Sequence, residues 1–385
     1  MEPNTVKRMT QEISVPKRQL ALKTSERVSV FREFVFQQLP IILVIGFAGC
    51  LASRVQHGVW PSADGPFPIA GVVVPIWHLV WMGFWTGYLA ALIGQAAGIF
   101  ALPYEISVLQ FSNVYVTPTT LLLTFLNPIG ALLGFRRSRQ WNREFAFWVC
   151  VGGAFGAILG PFVRLEILPQ PRFFNLAAGI ALLATGGNIV FPMLFGTKAP
   201  QNFESKVISH ATTQAGLGKL AAAIPPQIQL RVVVRERWRL TLEYWGERWV
   251  LHKAVLFLTG FGVAIFAVAL GIGGGFLLVP IFTEYYRLPL YVVVAASIPY
   301  AIILSAIGLL TFIVAGPLLA NGTFVPEISW SCYAAAGGIF GSWCAAKTQR
   351  FVRPLPLNIL LGGVTLVAGA YYAMATAYVI LHGIK

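Results

Sequence analysis

The sequence Gly271-Ile-Gly-Gly-Gly275-Phe-Leu-Leu-Val-Pro280 lies inside an apolar segment that runs from residue 250 to residue 282. Glycine is less favourable in a helix than alanine by about 1 kcal/mol, and proline removes a backbone donor. A helix that meets three consecutive glycines and then a proline is therefore expected to break. The segment predicts a broken helix whose released N–H and C=O groups need partners.

Composition places this broken segment in a membrane. Of the 385 residues, 57% are hydrophobic and 11% are charged, whereas soluble domains carry about 25% charged residues. The charges crowd into residues 1–35, 136–144 and 197–253. Apolar segments long enough to span a bilayer lie between them, at 36–54, 71–101, 115–135, 145–163, 173–195, 250–282, 291–316, 329–346 and 357–382. This pattern excludes a soluble enzyme and a single-anchor protein, and it predicts an integral multi-pass membrane protein surrounded by the lipid bilayer.

The net charge of +14 fits the same class, because basic residues in membrane proteins mark cytoplasmic loops. We therefore expect no nucleic-acid partner. Asp64 is the only aspartate, the five histidines are scattered, and the four cysteines lie in apolar segments without a CxxC motif. We accordingly predict no metal and no cofactor.

The second half of the chain repeats the first. A shift of 177 residues places Gly83 on Gly260, Gly94 on Gly271, Gly98 on Gly275, Pro103 on Pro280 and Thr120 on Ser297. A shift of 185 residues places Gly152-Gly-Ala-Phe-Gly156 on Gly337-Gly-Ile-Phe-Gly341. This ordered set predicts an internal duplication, in which segment 71–101 also contains a break.

The basic residues indicate how the two halves are oriented. If 71–101 and 250–282 are re-entrant hairpins and the N-terminus is inside, 24 of the 28 Lys and Arg residues lie inside and 4 outside. If each is a single crossing, the split is 13 to 15, and a hairpin in the first half alone gives 21 to 7. The positive-inside rule favours the first arrangement, and a hairpin in the first half alone stays open as an alternative. Each half then has an odd number of crossings, which makes the repeats inverted.

We therefore predict an all-α polytopic membrane protein with two inverted repeats, each a broken hairpin followed by three transmembrane helices, and with an extra N-terminal helix. The predicted parts are a disordered basic cytoplasmic tail (1–35), the extra helix (36–54), the first repeat (71–196), a cytoplasmic insert (197–249) and the second repeat (250–385). Inverted repeats with broken helices are typical of transporters that bind substrate near the middle of the membrane.

The insert has a pattern of its own. Apolar residues occupy nearly every second position from Ile228 to Tyr244, and arginines alternate with them. A period of two indicates a strand, but no turn residue divides the run. An amphipathic interfacial segment anchored by Trp238, Trp245 and Trp249 is the alternative.

The breaks supply candidate chemistry. A half-helix that begins after the glycines would direct unpaired N–H groups and the positive end of its dipole at whatever lies there, which suits an anion. Nearby hydroxyl and amide side chains would add donors. The predicted substrate-binding residues are Gly94, Gln95, Gly98, Thr119, Thr120, Asn127, Gly271, Gly273, Gly274, Gly275 and Ser297. We expect Gly273 and Gly274 to border the space that the anion fills, with a positive φ at Gly274.

Structural interpretations compete with these assignments. Small residues let membrane helices pack closely, which suffices to explain Gly152–Gly156 and Gly337–Gly341. Serine and threonine in membrane helices often donate to carbonyls of their own helix, which is the alternative for Thr119, Thr120 and Ser297.

Four charged residues near the predicted membrane surfaces complete the candidates. Glu105 and Glu284 follow the two repeat prolines; we expect them to face water, with proton coupling as the alternative. Arg164 and Arg172 lie on the predicted outer side. We expect them in a solvated loop, with attraction of departing anions as the alternative.

The glycine run, followed by Ala295-Ala-Ser297 and repeated more weakly as Gly94, Gly98, Pro103 and Thr119-Thr120, resembles the sulfite exporter TauE/SafE family over about residues 71–382. This resemblance implies transmembrane movement, and in particular export, of sulfite, small organosulfonates or related anions. The first half departs from the family pattern, because Gly94-Gln-Ala-Ala-Gly98 has bulkier residues in place of the triple glycine. The N-terminal helix and the long insert also exceed the compact form of the family.

We expect a secondary transporter that exports a small sulfur-containing oxyanion by alternating access, in a bacterial cytoplasmic membrane. An anion channel or uniporter shares every feature above. A membrane-embedded enzyme is the alternative of a different class, but the sequence lacks HExxH, GxSxG and paired aspartates. A membrane scaffold would not need broken helices in both halves. The partners are a small inorganic or organic anion and lipid, and a homodimer is left open.

Overall fold

The computed structural model of the protein describes residues 32, 34–62, 64–93, 96–111, 113–130, 143–194, 231–244, 247–288, 290–320, 324–348 and 354–382. This part of the chain is mostly helical, and five of its helices are long and apolar enough to cross a membrane. Large apolar side chains on helix surfaces, such as Phe155, Leu310 and Met374, are exposed. Such faces suit a hydrocarbon environment. Residues 1–31 of the predicted tail and 197–230 of the predicted insert lie outside the described residues.

The first half contains the predicted break. Its described elements are α1 (Leu39–His57), β1 (Pro66–Phe67), β2 (Val72–Val73), α2 (Ile76–Ile93), α3 (Gly98–Ser107), α4 (Val116–Leu126), α5 (Arg143–Phe162) and α6 (Pro171–Leu194). A π-helical turn, Phe34–Gln38, precedes α1, and another, Val163–Ile167, continues α5. The prediction that segment 71–101 is broken is confirmed, since α2 ends before the glycine pair and α3 begins with the second of these glycines, Gly98.

The second half repeats this order. Its described elements are β3 (Arg231–Arg235), β4 (Arg239–Tyr244), β5 (Glu247–His252), α7 (Lys253–Leu270), α8 (Gly275–Pro280), α9 (Leu290–Ala320), α10 (Ile328–Thr348) and α11 (Pro354–Leu381). The π-helical turn Ile281–Tyr285 continues α8. The break predicted within 250–282 is confirmed, because α7 ends at Leu270 and α8 begins at Gly275.

The described part of the insert contains a small sheet within an otherwise mostly helical protein. Strands β3, β4 and β5 form an antiparallel sheet in sequence order, so the strand interpretation of the alternating pattern is confirmed there. Alternation buries one face, which carries Leu240, Leu242 and Leu251. The turn between β3 and β4 contains no glycine or proline. Lys253 stabilises it with two hydrogen bonds: its backbone N–H donates to the carbonyl of Trp238 at 3.0 Å, and its ammonium group donates to the carbonyl of Glu236 at 2.7 Å.

Two helix pairs join the halves through glycines. In the pair α2–α10, a Cβ placed on Gly337 would lie 1.9 Å from the carbonyl oxygen of Val80. In the pair α5–α7, a Cβ placed on Gly152 would lie 2.0 Å from the carbonyl oxygen of Phe257. These two contacts correspond under the sequence repeat, so the packing interpretation of Gly152–Gly156 and Gly337–Gly341 is confirmed.

The direction of each pair follows from its contacts. In α5–α7, Gly152 meets Phe257 and Gly156 meets Phe261, so both residue numbers rise together and the helices are parallel. The pair α2–α10 is parallel by the same reasoning. In contrast, α6 and α11 are antiparallel, because Gly179 meets Ala373 whereas Gly186 meets Leu366.

Candidate functional site

The two helix breaks meet in the interior of the protein. A Cβ placed on Gly98 would lie 2.9 Å from Cα of Ile272. A Cβ placed on Gly273 would lie 2.5 Å from Cβ of Ala96 and 2.7 Å from Cγ2 of Thr124 on α4. Each break therefore contacts the break of the other half, and α4 packs beside them.

The glycine run first ends α7 and then starts α8. Gly271 has φ +77° and donates its N–H to the carbonyls of Ala267 and Val268, which is a left-handed C-cap. Gly273 also has a positive φ, +78°, which only glycine adopts cheaply. Gly274 has φ −81° and forms the N-cap of α8. The expected positive φ at Gly274 is wrong, because the chain reverses one residue earlier.

The space beside Gly274 is filled by protein. A Cβ placed there would lie 2.1 Å from Cε1 of Tyr300 and 2.6 Å from Cδ2 of Leu304. Gly153 on α5 meets the same ring, at 2.4 Å from Cε2. The expectation that Gly274 borders an open space is therefore wrong for this conformation, in which α5, α8 and α9 close around Tyr300.

The predicted hydroxyl residues are buried beside the breaks. Thr119 donates to the carbonyl of Tyr115 at 2.7 Å, and its Oγ1 accepts the N–H of Glu327 at 2.9 Å. Thr120 Oγ1 lies 2.8 Å from the carbonyl of Val116. Both threonines thus make the helix-internal bonds of the structural alternative. Ser297 on α9 is also buried, at 3% exposure.

Asn127 follows α4 and lies at the α2–α10 pair. Its Oδ1 would be 2.9 Å from a Cβ on Gly87 and 2.5 Å from one on Gly338. This oxygen is buried and has no hydrogen-bond partner among the described residues. Gly94 and Gln95, the remaining predicted site residues, lie outside the described residues.

Glu105 does not face water, so that expectation is wrong. It is 0% exposed and accepts hydrogen bonds from Thr120 Oγ1 at 2.6 Å and from Trp330 Nε1 at 3.0 Å. Pro103 lies two residues before it in the same helix, α3, which places the carboxylate against Thr120 of α4 and Trp330 of α10. The side chain of Glu284 lies outside the described set.

A second buried carboxylate, Glu327, has no sequence signal. It accepts hydrogen bonds from His57 Nε2 at 2.7 Å and from Ser329 Oγ at 2.9 Å. The backbone N–H of Ile69 adds a third at 3.2 Å. Nothing in the local sequence predicts these contacts, because His57 is 270 residues away along the chain.

Arg164 is buried, at 2% exposure, so its expected place in a solvated loop is wrong. The reason is that α5 continues as a π-helical turn through Ile167, which carries Arg164 against the protein instead of releasing it into a loop. Its Nε donates to Thr117 Oγ1 at 3.0 Å. No group of three or more His, Cys, Asp or Glu side chains within the described ranges is placed to hold a metal ion.

Broken helices that meet between two halves, with apolar outer faces, are typical of multi-pass membrane transport proteins. The model of the family "Sulfite exporter TauE/SafE" matches residues 79–372, which is most of the chain, and the protein belongs to this family. Its members are membrane transporters of sulfite and related sulfur-containing anions, so the predicted resemblance is confirmed. No curated protein and no solved structure gives a match to the chain.

Proposed function

We propose that this protein is a secondary transporter that exports a small sulfur-containing oxyanion, sulfite or an organosulfonate, across the bacterial cytoplasmic membrane. The observation that carries the proposal is the contact between the two breaks, where Gly98 meets Ile272 and Gly273 meets Ala96. Substrate held there would touch both halves of the protein at once. A relative movement of the two breaks would then change the side from which the substrate is accessible.

We propose further that the repeats are inverted. Support comes from α6 and α11, which are counterparts under the 185-residue shift and pack antiparallel, as the Gly179–Ala373 and Gly186–Leu366 contacts indicate. Counterpart helices related by an axis along the membrane normal would run in the same direction. Inverted repeats allow the same breaks to open alternately to opposite sides.

The substrate-binding role of the glycines and of the nearby polar residues remains part of this proposal. An oxyanion would take N–H groups freed at the breaks once the helices separate. The unpartnered Oδ1 of Asn127 marks a buried polar group that water or a protonated oxyanion would satisfy. In the conformation described, Tyr300 and Leu304 fill the side of Gly274, so the conformation is compatible with an occluded state.

The proposal is tested by uptake of radiolabelled sulfite into inside-out membrane vesicles, with vesicles lacking the protein as the control. We expect saturable uptake that unlabelled methanesulfonate inhibits. Preloading the vesicles with unlabelled sulfite should accelerate uptake, since a transporter exchanges substrate across the membrane whereas a channel does not. Uptake without such exchange would favour the channel, and no uptake of sulfite, sulfonate or sulfate would overturn the proposal.

A further inference from the structure

Arg164 is a buried cation without a buried anion beside it. Its guanidinium carbon lies 4.1 Å from the ring centroid of Phe174 on α6. Of its five N–H groups, Nε donates to Thr117 Oγ1 and Nη1 donates to the carbonyl of Leu168. The other N–H groups have no acceptor, and the guanidinium has no carboxylate partner, among the described residues.

The other buried charged side chains of the described residues are Glu327, Glu105 and Lys253, and of these Lys253 resembles Arg164 in having a carbonyl and an aromatic ring, not a carboxylate, as its partners. Glu327 is paired with His57. Glu105 receives two hydrogen bonds. Lys253 lies at the opposite end of the α5–α7 pair and donates to the carbonyl of Glu236. Removing a charge from water without an opposite charge is costly, so buried charges in membrane helices are usually paired or functional.

Arg164 lies beside the break of the second half. Thr117, which accepts its Nε–H, also contacts the break, because a Cβ on Gly271 would be 2.9 Å from the Thr117 carbonyl oxygen. One helical turn earlier on α5, a Cβ on Gly160 would lie 2.6 Å from Cβ of Val268 on α7. The guanidinium therefore lies beside the C-terminal end of α7, and the positive-inside rule predicts that this end faces outward.

We infer that Arg164 binds the transported oxyanion as it passes between the helix breaks and the outer face. The guanidinium fork presents parallel N–H groups that match two oxygens of a sulfite or sulfonate group. Phe174 and Thr117 fix the plane and the position of the guanidinium. The N–H groups that do not bond Thr117 or Leu168 are left for the anion. This inference rests on the proposed function and adds the positive charge that the glycine breaks lack.

A purely structural role makes a different prediction. The bond from Nη1 to the carbonyl of Leu168 caps the π-helical turn that continues α5, and a cap contributes to stability whether or not an anion is bound. Removing the side chain would then lower the melting temperature and leave the sulfite affinity of the folded protein unchanged.

The test compares Arg164→Gln, Arg164→Lys and a matched control, Arg248→Gln, in purified full-length protein reconstituted in nanodiscs. Arg248 is an exposed arginine on β5 that pairs with Glu243 at 3.1 Å. Sodium sulfite is titrated calorimetrically at constant ionic strength, the melting temperature is measured with and without sulfite, and sulfite flux is measured in proteoliposomes. We expect Arg164→Gln to weaken sulfite binding at least tenfold and to abolish the sulfite-induced rise in melting temperature.

We expect Arg164→Lys to weaken binding by a smaller factor, because it keeps the charge but loses the fork, and Arg248→Gln to bind as the wild type does. If Arg164→Gln does not fold, Arg164→Lys decides, and an affinity equal to that of the wild type overturns the inference. Normal sulfite affinity in folded Arg164→Gln overturns the inference and leaves the transport proposal intact. Binding that needs Arg164 without flux supports Arg164 as an oxyanion-binding residue and overturns the transport proposal, and with it the role of Arg164 in transport. Wild-type protein that binds neither sulfite, methanesulfonate nor sulfate overturns both.

Discussion

Tyr300 shows at the residue scale how tightly the glycine run is packed. Its ring is 0% exposed, its hydroxyl donates to the carbonyl of Gly260 at 2.7 Å, and its two edges face Gly153 and Gly274. A side chain at either glycine must displace an aromatic ring that is anchored at its far end.

We therefore expect Gly274→Ala to destabilise the fold by about 1–3 kcal/mol, as is usual for overpacking, and Gly274→Val to do more damage. Thermal unfolding in detergent measures this effect. In the background Tyr300→Leu, Gly274→Ala should cost less, because the ring atom 2.1 Å from the new Cβ is gone and contacting residues couple in double-mutant cycles. Gly274→Val protein that melts at the wild-type temperature would contradict the packing seen here.

Glu105 yields a second prediction at this scale. Glu105→Ala leaves the indole N–H of Trp330 without its acceptor at 3.0 Å, whereas the single hydroxyl proton of Thr120 still has the carbonyl of Val116 as an acceptor at 2.8 Å. We expect a loss of about 1–3 kcal/mol, measured by thermal or denaturant unfolding. Glu105→Gln retains an oxygen for Trp330 and should lose less.

The control for this prediction removes the indole N–H of Trp330, the donor that Glu105→Ala would leave without an acceptor. In the background Trp330→Phe, the change Glu105→Ala should be milder, because no buried N–H remains unsatisfied. Equal losses in the two backgrounds would mean that the hydrogen bond between Glu105 and Trp330 does not contribute to stability.

The sequence predicts where the helices break better than it predicts which residues surround the breaks. Consecutive glycines disfavour a helix through local backbone energetics alone, so the break needs no knowledge of the fold. The proline is not needed for it, because Pro280 lies inside α8. The burial of Glu105 depends on Trp330, 225 residues away, and that of Arg164 on Thr117, 47 residues away. Contacts of that separation leave no local pattern.

At the scale of elements, the α5–α7 pair permits a matched comparison on one helix. A Cβ on Gly260 would lie 2.3 Å from the carbonyl oxygen of Val149, whereas a Cβ on Gly262 meets nothing within 4 Å. We expect Gly260→Ala to force the helices apart and lower the melting temperature. Gly262→Ala should leave it equal or higher, since alanine favours the helix by about 1 kcal/mol. The opposite ranking would contradict the close approach of Gly260 to Val149.

The sequence predicts those elements whose structure is set by neighbouring residues, and it does not predict those that depend on distant residues. Apolar length predicts the helices, and the alternation of arginine with apolar residues predicts β3 and β4. The turn between these strands escapes prediction because Lys253, beyond β5, holds it through the carbonyls of Glu236 and Trp238. Helix partners escape prediction too, because a glycine face such as that of Gly83 fits any small-residue surface of similar shape.

For the whole molecule, the charge distribution predicts the topology, and labelling tests it. Single cysteines replacing Ser138 and Gln214, in a background where the four native cysteines are replaced, should react with a membrane-impermeant reagent only from the cytoplasmic side. A cysteine at Asn321 should react only from outside. These positions lie outside the described residues, so the expectation rests on the positive-inside rule. Reaction of position 321 only from the cytoplasm would contradict the inverted arrangement.

The parallel pairing of α2 with α10 has a consequence for biosynthesis. The hydroxyls of Tyr88 and Thr348, which lie 3.0 Å apart, are separated by 260 residues of chain. At translation rates of about 5–20 residues per second, α2 waits about 10–50 s in the bilayer before its partner is synthesised. During that interval its glycine face lacks the partner helix that packs against it in the folded protein. We therefore expect quality-control proteases to have the most time to act on the nascent chain while α2 lacks its partner, α10.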